Sequence, residues 1–202
     1  MFSGNVHSKR QLRPEYVGGK TMKLRLLILC SLALFRGSSS LGQDGAVATS
    51  DITEGVLKID AVRASTFDPG SAKYPHTPNQ AIDGDIHSCW SAESNVTSNQ
   101  WIEFTLSGSN TISKIRVTNG WIPRGYPAWF KANHRAKTIL ITFDGTTTQK
   151  AILKDTNGPQ VIRTEEPVVA HSVRVEILDI YPYEFGADKP SITVSEIELM
   201  KE

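Results

Sequence analysis

The sequence contains only two cysteines, Cys30 and Cys89, among 202 residues. The part of the chain after residue 42 keeps Cys89 alone, which excludes an intramolecular disulfide there. Zinc is not supported either, because the histidines follow no metal-ligand spacing and have no cysteine partner. We predict that Cys89 is a small buried hydrophobe and that the histidines lie on loops or the surface. Stability must then come from a hydrophobic core, which about 150 residues can build as one domain.

Long apolar runs are also missing. The longest, Leu26–Phe35, is about half of the roughly 20 residues that a membrane-spanning helix needs. Basic residues precede it and small residues follow it, an order typical of a secretory signal peptide. We predict that residues 1–42 are a start placed too early plus a cleaved signal peptide, residues 43–55 a flexible lead, and residues 56–202 the folded domain. The protein is then secreted or periplasmic, without a stable membrane span.

A surplus of basic residues is absent from the predicted mature chain. Residues 1–42 hold seven of the 22 basic side chains and one of the 21 acidic ones, so residues 43–202 keep 15 basic and 20 acidic side chains. Proteins that bind nucleic acid usually concentrate Lys and Arg into a patch or stripe. The mildly acidic balance therefore argues against a nucleic-acid partner.

Catalytic motifs are missing as well. The sequence has no Gly-x-Ser-x-Gly elbow, no phosphate-binding glycine-rich loop and no dinucleotide fingerprint. A glycosidase needs two carboxylates facing each other across a cleft, whereas Glu165 and Glu166 stand next to Pro167 in a predicted turn and read as solvated charge. We therefore predict a protein that is not an enzyme.

What the sequence does contain is alternation of apolar and polar residues, the period of a half-buried strand. It is clearest in Ser113–Asn119, Thr138–Phe143, Ser172–Ile180 and Ile192–Leu199. Asp144-Gly145 predicts a hairpin turn, Asn157-Gly158-Pro159 predicts another turn, and the spacing of Val194 and Ile197 indicates a bulge near Ser195 and Glu196. No segment of ten or more residues has a helical period. These patterns predict an all-β fold, an antiparallel sandwich or jelly roll.

One loop, Asn119–Arg135, has no strand or helix period yet is rich in aromatic and planar polar residues. An exposed aromatic plane binds the apolar face of a sugar ring, and Arg, Asn and His can bond its hydroxyls. The candidate glycan-binding residues are Trp121, Arg124, Tyr126, Trp129, Asn133, His134 and Arg135. The alternative is that Trp121 and Phe130 cap the core, that Asn119 bonds local backbone, and that Arg135 pairs with an acidic residue inside the sandwich.

Several motifs then resemble a known family. AIDGDIHSCW, Ala81–Trp90, resembles a block of discoidin or coagulation-factor type C domains and of family 32 carbohydrate-binding modules. NGW and NHR, at Asn119–Trp121 and Asn133–Arg135, are similar to a narrower subgroup, the glycan-binding or translocation domain of bacterial NAD glycohydrolase toxins. DTNGPQ, Asp155–Gln160, and ITVSEIEL, Ile192–Leu199, agree with that subgroup. His134 departs from its pattern, which commonly has a second Asn there.

The resemblance covers about residues 56–200 and implies a galactose-binding-like jelly roll that holds a sugar in the loops at one end. It also implies a structural calcium in the Asp-Gly-Asp turn, with Asp83, Asp85 and Ser88 as ligands and Glu196 of the last strand closing the site. Such oxygens suit calcium. The alternative is an Asx-type turn in which both aspartates bond backbone amides while Glu196 meets an arginine such as Arg63 or Arg116.

The function we predict is that of a secreted, non-catalytic, lectin-like module that binds a glycan or glycoprotein for adhesion or targeting. One alternative is a protein- or membrane-surface interaction module that uses the same loop as an apolar spike. An NAD glycohydrolase or a glycosidase is the enzyme alternative.

Overall fold

The computed structural model describes residues 55–186 and 188–202. The predicted signal peptide and nearly all of the predicted flexible lead lie outside these residues. The described residues form seven strands: β1 (Ile59–Ala64), β2 (Trp90–Ser91), β3 (Gln100–Asn119), β4 (His134–Phe143), β5 (Thr147–Ile152), β6 (Pro159–Tyr181) and β7 (Ile192–Met200). They also contain two 3₁₀ helices, Pro78–Ala81 and Pro127–Lys131, and neither these nor any other helix in this part of the chain has the length and hydropathy to cross a bilayer.

The all-β prediction is confirmed, and the four strongest alternating segments lie within β3, β4, β6 and β7. The predicted hairpin is also present, because Phe143 pairs with Thr147 across the turn. Three residues, Asp144, Gly145 and Thr146, connect this pair, and Asp144 and Gly145 both have positive φ, 45° and 72°, which Asp and Gly tolerate in tight turns.

Hydrogen bonds link the strands in the order β1-β3-β6-β4-β7-β2, with β5 paired to β4 and a further pairing between β3 and β7. The two long strands, β3 and β6, change neighbours along their length. The first half of β3 pairs with β1, whereas residues 114–119 pair with β7. Register shifts around residues 105–114 separate the halves, and these bends let the strands wrap one core as a jelly-roll sandwich. These strand pairs are antiparallel except β4 and β7, which are parallel at their first residues.

The core consists of the inward-facing residues of these strands. Along β3, Ile102, Phe104 and Leu106 are at most 1% exposed, and they alternate with residues that reach the surface. Trp90 is fully buried, and its Nε1 donates a hydrogen bond to the carbonyl of Thr66. Burial of such large apolar side chains stabilises the folded state by roughly 1.5–3 kcal/mol each, so no disulfide is needed.

Strand β7 connects the two ends of the sandwich and contains the predicted bulge. Thr118 of β3 faces Glu196, but Asn119 faces Val194, so Ser195 is the extra residue. The strand begins beside the start of β4, at the end of the sandwich that carries the aromatic loop. At its other end, the amide of Lys201 donates to the carbonyl of Gly55 at 2.9 Å.

Candidate functional site

The side chain of Asn119 ties β3 to β4 at the base of the aromatic loop. Its Nδ2 donates to the carbonyl of Ala136 at 2.7 Å, and its Oδ1 accepts from the Ala136 amide at 3.0 Å. Only 1% of Asn119 is exposed. An amide that is buried and bonded through both of its ends fixes two strands relative to each other. Asn119 therefore bonds the backbone, which is the alternative considered for it above.

Gly120 starts the loop in a left-handed conformation, with φ of +75°. A Cβ atom at this position would lie 2.6 Å from the ring of Phe130, which is 7% exposed. Because Gly120 has no side chain, the ring of Phe130 can pack against it. The 3₁₀ helix Pro127–Lys131 thus places Phe130 over the end of the core. The predicted capping role of Phe130 is observed.

The remaining aromatic side chains of the loop form a contiguous row with His76, here called the aromatic row. The ring of Trp121 lies edge-on to His76 and to Trp129, with centroids 4.8 and 5.9 Å apart, and Tyr126 lies edge-on to Trp129 at 6.4 Å. Trp121 is half-buried, and its Nε1 donates to the carbonyl of His87 at 2.9 Å. Trp129 is 46% exposed and Tyr126 60%. The row therefore has a fixed inner member and two outer members that reach solvent.

A cavity of about 400 Å³, the main cavity, opens on one side of the aromatic row. Its wall includes Trp121 and Trp129, and Phe185 of the loop after β6 contributes a further exposed aromatic ring. Polar groups of Asn133 and Ser191 lie among these rings. The size and mixed lining are typical of sites that bury a small ligand and orient it with a few polar contacts.

A second cavity, of about 270 Å³, lies next to the main cavity. The two are neighbours because Trp121 and His76 line both of them. The second cavity is more strongly charged, because Lys73, Arg124 and Asp85 all line it.

Among the predicted polar ligand residues, Asn133 lies at the surface of the main cavity. Its Oδ1 accepts from the amide of Ser191 at 3.3 Å, which orients the side-chain amide. No protein acceptor bonds its Nδ2 within the described residues, so this donor is available to a ligand.

His134 and Arg135 lie behind the cavity wall. Arg135 is 1% exposed and donates to the backbone carbonyls of Asn133 and Pro182 as well as to Asp155. His134 is 8% exposed, and its Nδ1 accepts from the amide of Tyr183 at 3.3 Å. Burial, and next the charge of Arg135, lower the pKa of His134. Both side chains thus hold neighbouring loops in place, and the internal ion pair considered for Arg135 is present.

Arg124 is exposed and meets Asp85 in the second cavity. One nitrogen, Nη2, donates to both carboxylate oxygens, at 3.1 and 3.2 Å. The backbone amide of His87 donates to the same carboxylate, and this bond, followed by the side-chain bond from Arg124, lowers the pKa of Asp85. The Asp85 carboxylate therefore stays ionised and positions the arginine at the second cavity, whereas Asp83 and Glu196 line a different one.

The other predicted calcium ligands gather in the Asp-Gly-Asp turn. The hydroxyl of Ser88 donates to the carboxylate of Asp83 at 2.8 Å, and the amide of Gly84 donates to Glu196 Oε2 at 3.1 Å. Asp83 and Glu196 line one cavity of about 290 Å³. Burial, together with the negative charge of Asp83, raises the pKa of Glu196 from 4.5 to about 8. The turn thus brings two carboxylates close together without a full set of neutralising partners.

Of the two arginines considered as partners of Glu196, Arg63 bonds Glu103. Arg116 bonds Glu198, and its charge also acts to lower the pKa of Glu196, which burial raises. The Asx-type bonds of the alternative are present, since Asp83 accepts from the amide of Asp85 at 2.9 Å. Within residues 55–186 and 188–202, no three His, Cys, Asp or Glu side chains form a metal-binding group.

Cys89 is completely buried and free, as predicted. Its Sγ lies 3.3 Å from His76 Nδ1, directly beneath the aromatic row. Burial raises the pKa of the Cys89 thiol and lowers the pKa of His76. The contact therefore joins a neutral thiol to a neutral imidazole at physiological pH, and it orients the His76 ring against Trp121.

Among the lining residues of the main cavity that sequence reasoning missed are the two charged ones and two with rings: Asp68, Lys189, His76 and Phe185. Two of them lie in the segment 181–190, which is punctuated by Pro and Gly and carries aromatic residues. That composition is the same signal that marks the Asn119–Arg135 loop. Asp68 and His76 carry no comparable local signal, because only the fold brings their loop against Trp121.

Solved structures with the same fold include several carbohydrate-binding modules. The family 32 module of AlyQ, in complex with 4,5-unsaturated mannuronic acid, is 17% identical with a TM-score of 0.51, over 73% of this chain and 98% of that one. The CBM32-5 module of CpGH89 from Clostridium perfringens, in complex with GalNAc-β-1,3-galactose, is 18% identical with a TM-score of 0.51, over 70% and 94%. At these identities the likeness establishes a galactose-binding-like β-sandwich.

The CBM32-1 and CBM32-2 domains of ZmpB from Clostridium perfringens give a TM-score of 0.54 at 18% identity, over 71% of this chain and 34% of that one. No curated protein matches the sequence. The family model of the NAD glycohydrolase translocation F5/8 type C domain matches residues 54–200. This match confirms the resemblance drawn from the NGW, NHR and Ser-Glu-Ile motifs, and the chain belongs to the NAD glycohydrolase translocation F5/8 type C domain family.

Proposed function

We propose that this protein is a secreted, non-catalytic carbohydrate-binding module that holds a glycan or glycoprotein in the main cavity, for adhesion or targeting. The exposed faces of Trp129 and Phe185 supply apolar surface for the C–H face of a sugar ring. Nδ2 of Asn133 supplies a donor for a ring hydroxyl. Arg135 and His134 act from behind by fixing the backbone around the cavity.

The single observation that carries this proposal is the position of the main cavity beside the aromatic row. Trp129 is 46% exposed although the loop places the neighbouring Phe130 in the core. The Trp129 indole lines the 400 Å³ main cavity and stays exposed. It therefore lacks the stabilisation that Phe130 gains from burial. Such a side chain is explained by a ligand that stacks on it. The chemistry of the solved relatives supports a sugar as that ligand, because their modules are described in complex with mannuronic acid and GalNAc-galactose.

The test is a glycan array followed by calorimetric titration of the strongest neutral oligosaccharide, with wild type, Trp129→Ala and Trp101→Ala. Trp101 is the matched control, because it is a half-buried tryptophan under the guanidinium of Arg174 and lines neither cavity. We expect Trp129→Ala to weaken binding by roughly five- to 150-fold, since stacking on an aromatic ring is worth about 1–3 kcal/mol. Trp101→Ala should leave the affinity unchanged.

Two outcomes would overturn the proposal. A folded protein that binds no glycan at high density, but binds liposomes in the presence of excess sugar, would make the aromatic row an apolar spike for membranes or proteins. Turnover of NAD or of chromogenic glycosides would make the protein an enzyme.

We further propose that Asp83, Ser88 and Glu196 hold a structural Ca²⁺, with nearby backbone carbonyls completing the oxygen set. The donor set fits this ion: two carboxylates face one cavity, and the carbonyls of Gln80 and Asp85 lie 3.2 and 3.0 Å from the Ser88 hydroxyl. A bound cation would also remove the repulsion between the two carboxylates. Its role would be to pin the turn.

Thermal unfolding with CaCl₂ or MgCl₂ tests this site. We expect Ca²⁺ to raise the Tm of the wild type and to have no effect on Asp83→Asn. Asp85→Asn is the matched control and should keep the calcium response, because its carboxylate is committed to the His87 amide and to Arg124. An equal response of all three proteins would contradict the proposal.

A further inference from the structure

The second cavity lies next to the proposed sugar site but differs from it in charge. Lys73 and Arg124 line it against a single carboxylate, that of Asp85. In the main cavity, one carboxylate, Asp68, stands against one cation, Lys189. A ligand that spans both cavities therefore meets a neutral environment in the main cavity and a cationic one in the second.

The cations of the second cavity have donors to spare. Arg124 uses only Nη2 to hold Asp85, so Nε and Nη1 keep their hydrogens free of protein acceptors among the described residues. Lys73 forms no ion pair with a carboxylate in this part of the chain, and its Nζ lies 5.1 Å from the ring centroid of Tyr74. A guanidinium fixed by one carboxylate keeps its planar geometry, and its remaining nitrogens, Nε and Nη1, can each donate a single hydrogen bond to a ligand.

His87 adds an acceptor to the same cavity. Its Nδ1 lies 2.8 Å from the carbonyl of Ile122, and a carbonyl can only accept, so Nδ1 carries the hydrogen. In the tautomer with its hydrogen on Nδ1, the ring has Nε2 as an acceptor for a hydroxyl. The cavity thus combines donors for a carboxylate with an acceptor for a hydroxyl, the two groups that a uronic or sialic acid residue carries together.

We propose that the second cavity is a subsite for an acidic sugar residue, whose carboxylate binds Arg124 and Lys73, while a neighbouring neutral residue of the same glycan occupies the main cavity. This inference rests on the proposed carbohydrate-binding function. His76 and Trp121 line both cavities, so both sugar residues would contact these two rings. The ligand class is therefore an anionic oligosaccharide of at least two residues.

The experiment uses pairs of oligosaccharides that differ only in charge: sialyllactose against its carboxyl-reduced form, and an oligogalacturonide against its carboxyl-reduced form. Affinities are measured for the wild type, Arg124→Gln and Lys73→Gln. Lys150→Gln is the control, since Lys150 is an exposed cation on β5 and lines neither cavity. We expect at least one acidic member to bind the wild type roughly five- to tenfold more tightly than its neutral counterpart, the worth of a partly exposed charge-assisted contact.

Arg124→Gln and Lys73→Gln should each reduce this preference, and added salt should do the same, whereas affinity for the neutral member should stay unchanged. The control should keep the full preference. Equal affinities of the wild type for both members of every pair would overturn the anionic subsite while leaving the neutral sugar site standing. A preference that survives both Gln substitutions would overturn it too. If no oligosaccharide binds, the proposed function fails and this inference falls with it.

Discussion

Arg135 and Asp155 face each other in a two-point contact, with Nε to Oδ1 at 3.0 Å and Nη2 to Oδ2 at 2.9 Å. The arginine is 1% exposed on its side chain, whereas the aspartate is 24% exposed. The pair joins the start of β4 to the turn before β6. The two residues come from separate motifs that resemble the family, NHR and DTNGPQ, so the motifs correspond to the two halves of one contact.

We expect Asp155→Asn to destabilise the fold by about 3 kcal/mol, because it leaves a buried guanidinium without its carboxylate. Lys131, which also bonds Asp155 at 2.6 Å, would lose a partner in the same variant. Chemical denaturation measures the change. The control is Asp179→Asn at the exposed pair with Lys137, which should leave the denaturation midpoint nearly unchanged. Equal midpoints for the two variants would show that the buried pair contributes no more than a surface one.

Gly120→Ala should destabilise the protein by about 2–4 kcal/mol, because it adds a left-handed penalty to a clash with Phe130. Gly125→Ala separates these two contributions. Gly125 also has positive φ, +84°, but nothing lies within 4 Å of the point that a Cβ atom would occupy, so only the conformational penalty of about 1–2 kcal/mol applies. Urea unfolding of both variants gives the comparison. Similar losses in the two would mean that the ring of Phe130 moves aside at little cost.

Glu196 should make stability depend on pH in the absence of calcium. Its pKa is about 8 in the folded protein and 4.5 in the reference state, so the folded state binds more protons than the unfolded chain between these values. Stability therefore decreases as pH rises from about 5 to about 8. Glu196→Gln should remove this part of the slope and should be more stable than the wild type at the upper end. Urea midpoints across this range, with a chelator present, measure the effect.

An unchanged slope in Glu196→Gln would assign the pH dependence to other groups. Added Ca²⁺ provides a second control in the wild type. A bound cation favours the carboxylate form and lowers its pKa, so the slope should flatten when the ion is present.

Asn133→Asp should weaken binding of a neutral oligosaccharide roughly tenfold without a comparable loss of stability. The substitution keeps Oδ1, which accepts from the Ser191 amide, and removes only the donor Nδ2. Asn133→Ala would lose both contacts and is the matched comparison. Calorimetric titration and thermal unfolding on the same samples separate the two effects. Full affinity in Asn133→Asp would place the sugar elsewhere.

The sequence allowed parts of β3, β4, β6 and β7, the hairpin turn and the bulge near Ser195 to be predicted, because each depends on local alternation or turn residues. The turn predicted at Glu165 and Glu166 was wrong, because both residues lie within β6. It also indicated the aromatic loop. The sequence could not indicate how deeply each side chain of the loop is buried. Trp129 and Phe130 are adjacent and similar in chemistry, yet one faces solvent and the other closes the core. The difference arises because the 3₁₀ helix places Phe130, and not Trp129, against Gly120.

The polar residues of the loop illustrate the same limit. Asn133, His134 and Arg135 are consecutive, and the sequence predicts that all three bond a ligand. Because β4 begins at His134, successive side chains differ in direction and depth. Arg135 turns to Asp155, a partner 20 residues away that only the fold brings near. His76 reaches the aromatic row by the same long-range packing.

Gly55 and Lys201 are bonded to each other, so attachment of the domain at either residue leaves the cavities in the same orientation. Lys201 follows β7, whose first residues border the main cavity, and nine extended residues span about 30 Å. A surface, bead or reporter coupled at either of these two positions therefore stands at the far end of the sandwich from the aromatic row. A copy immobilised at either position would present both cavities away from its support, and under the proposed function many such copies on one support would add avidity to single-site binding.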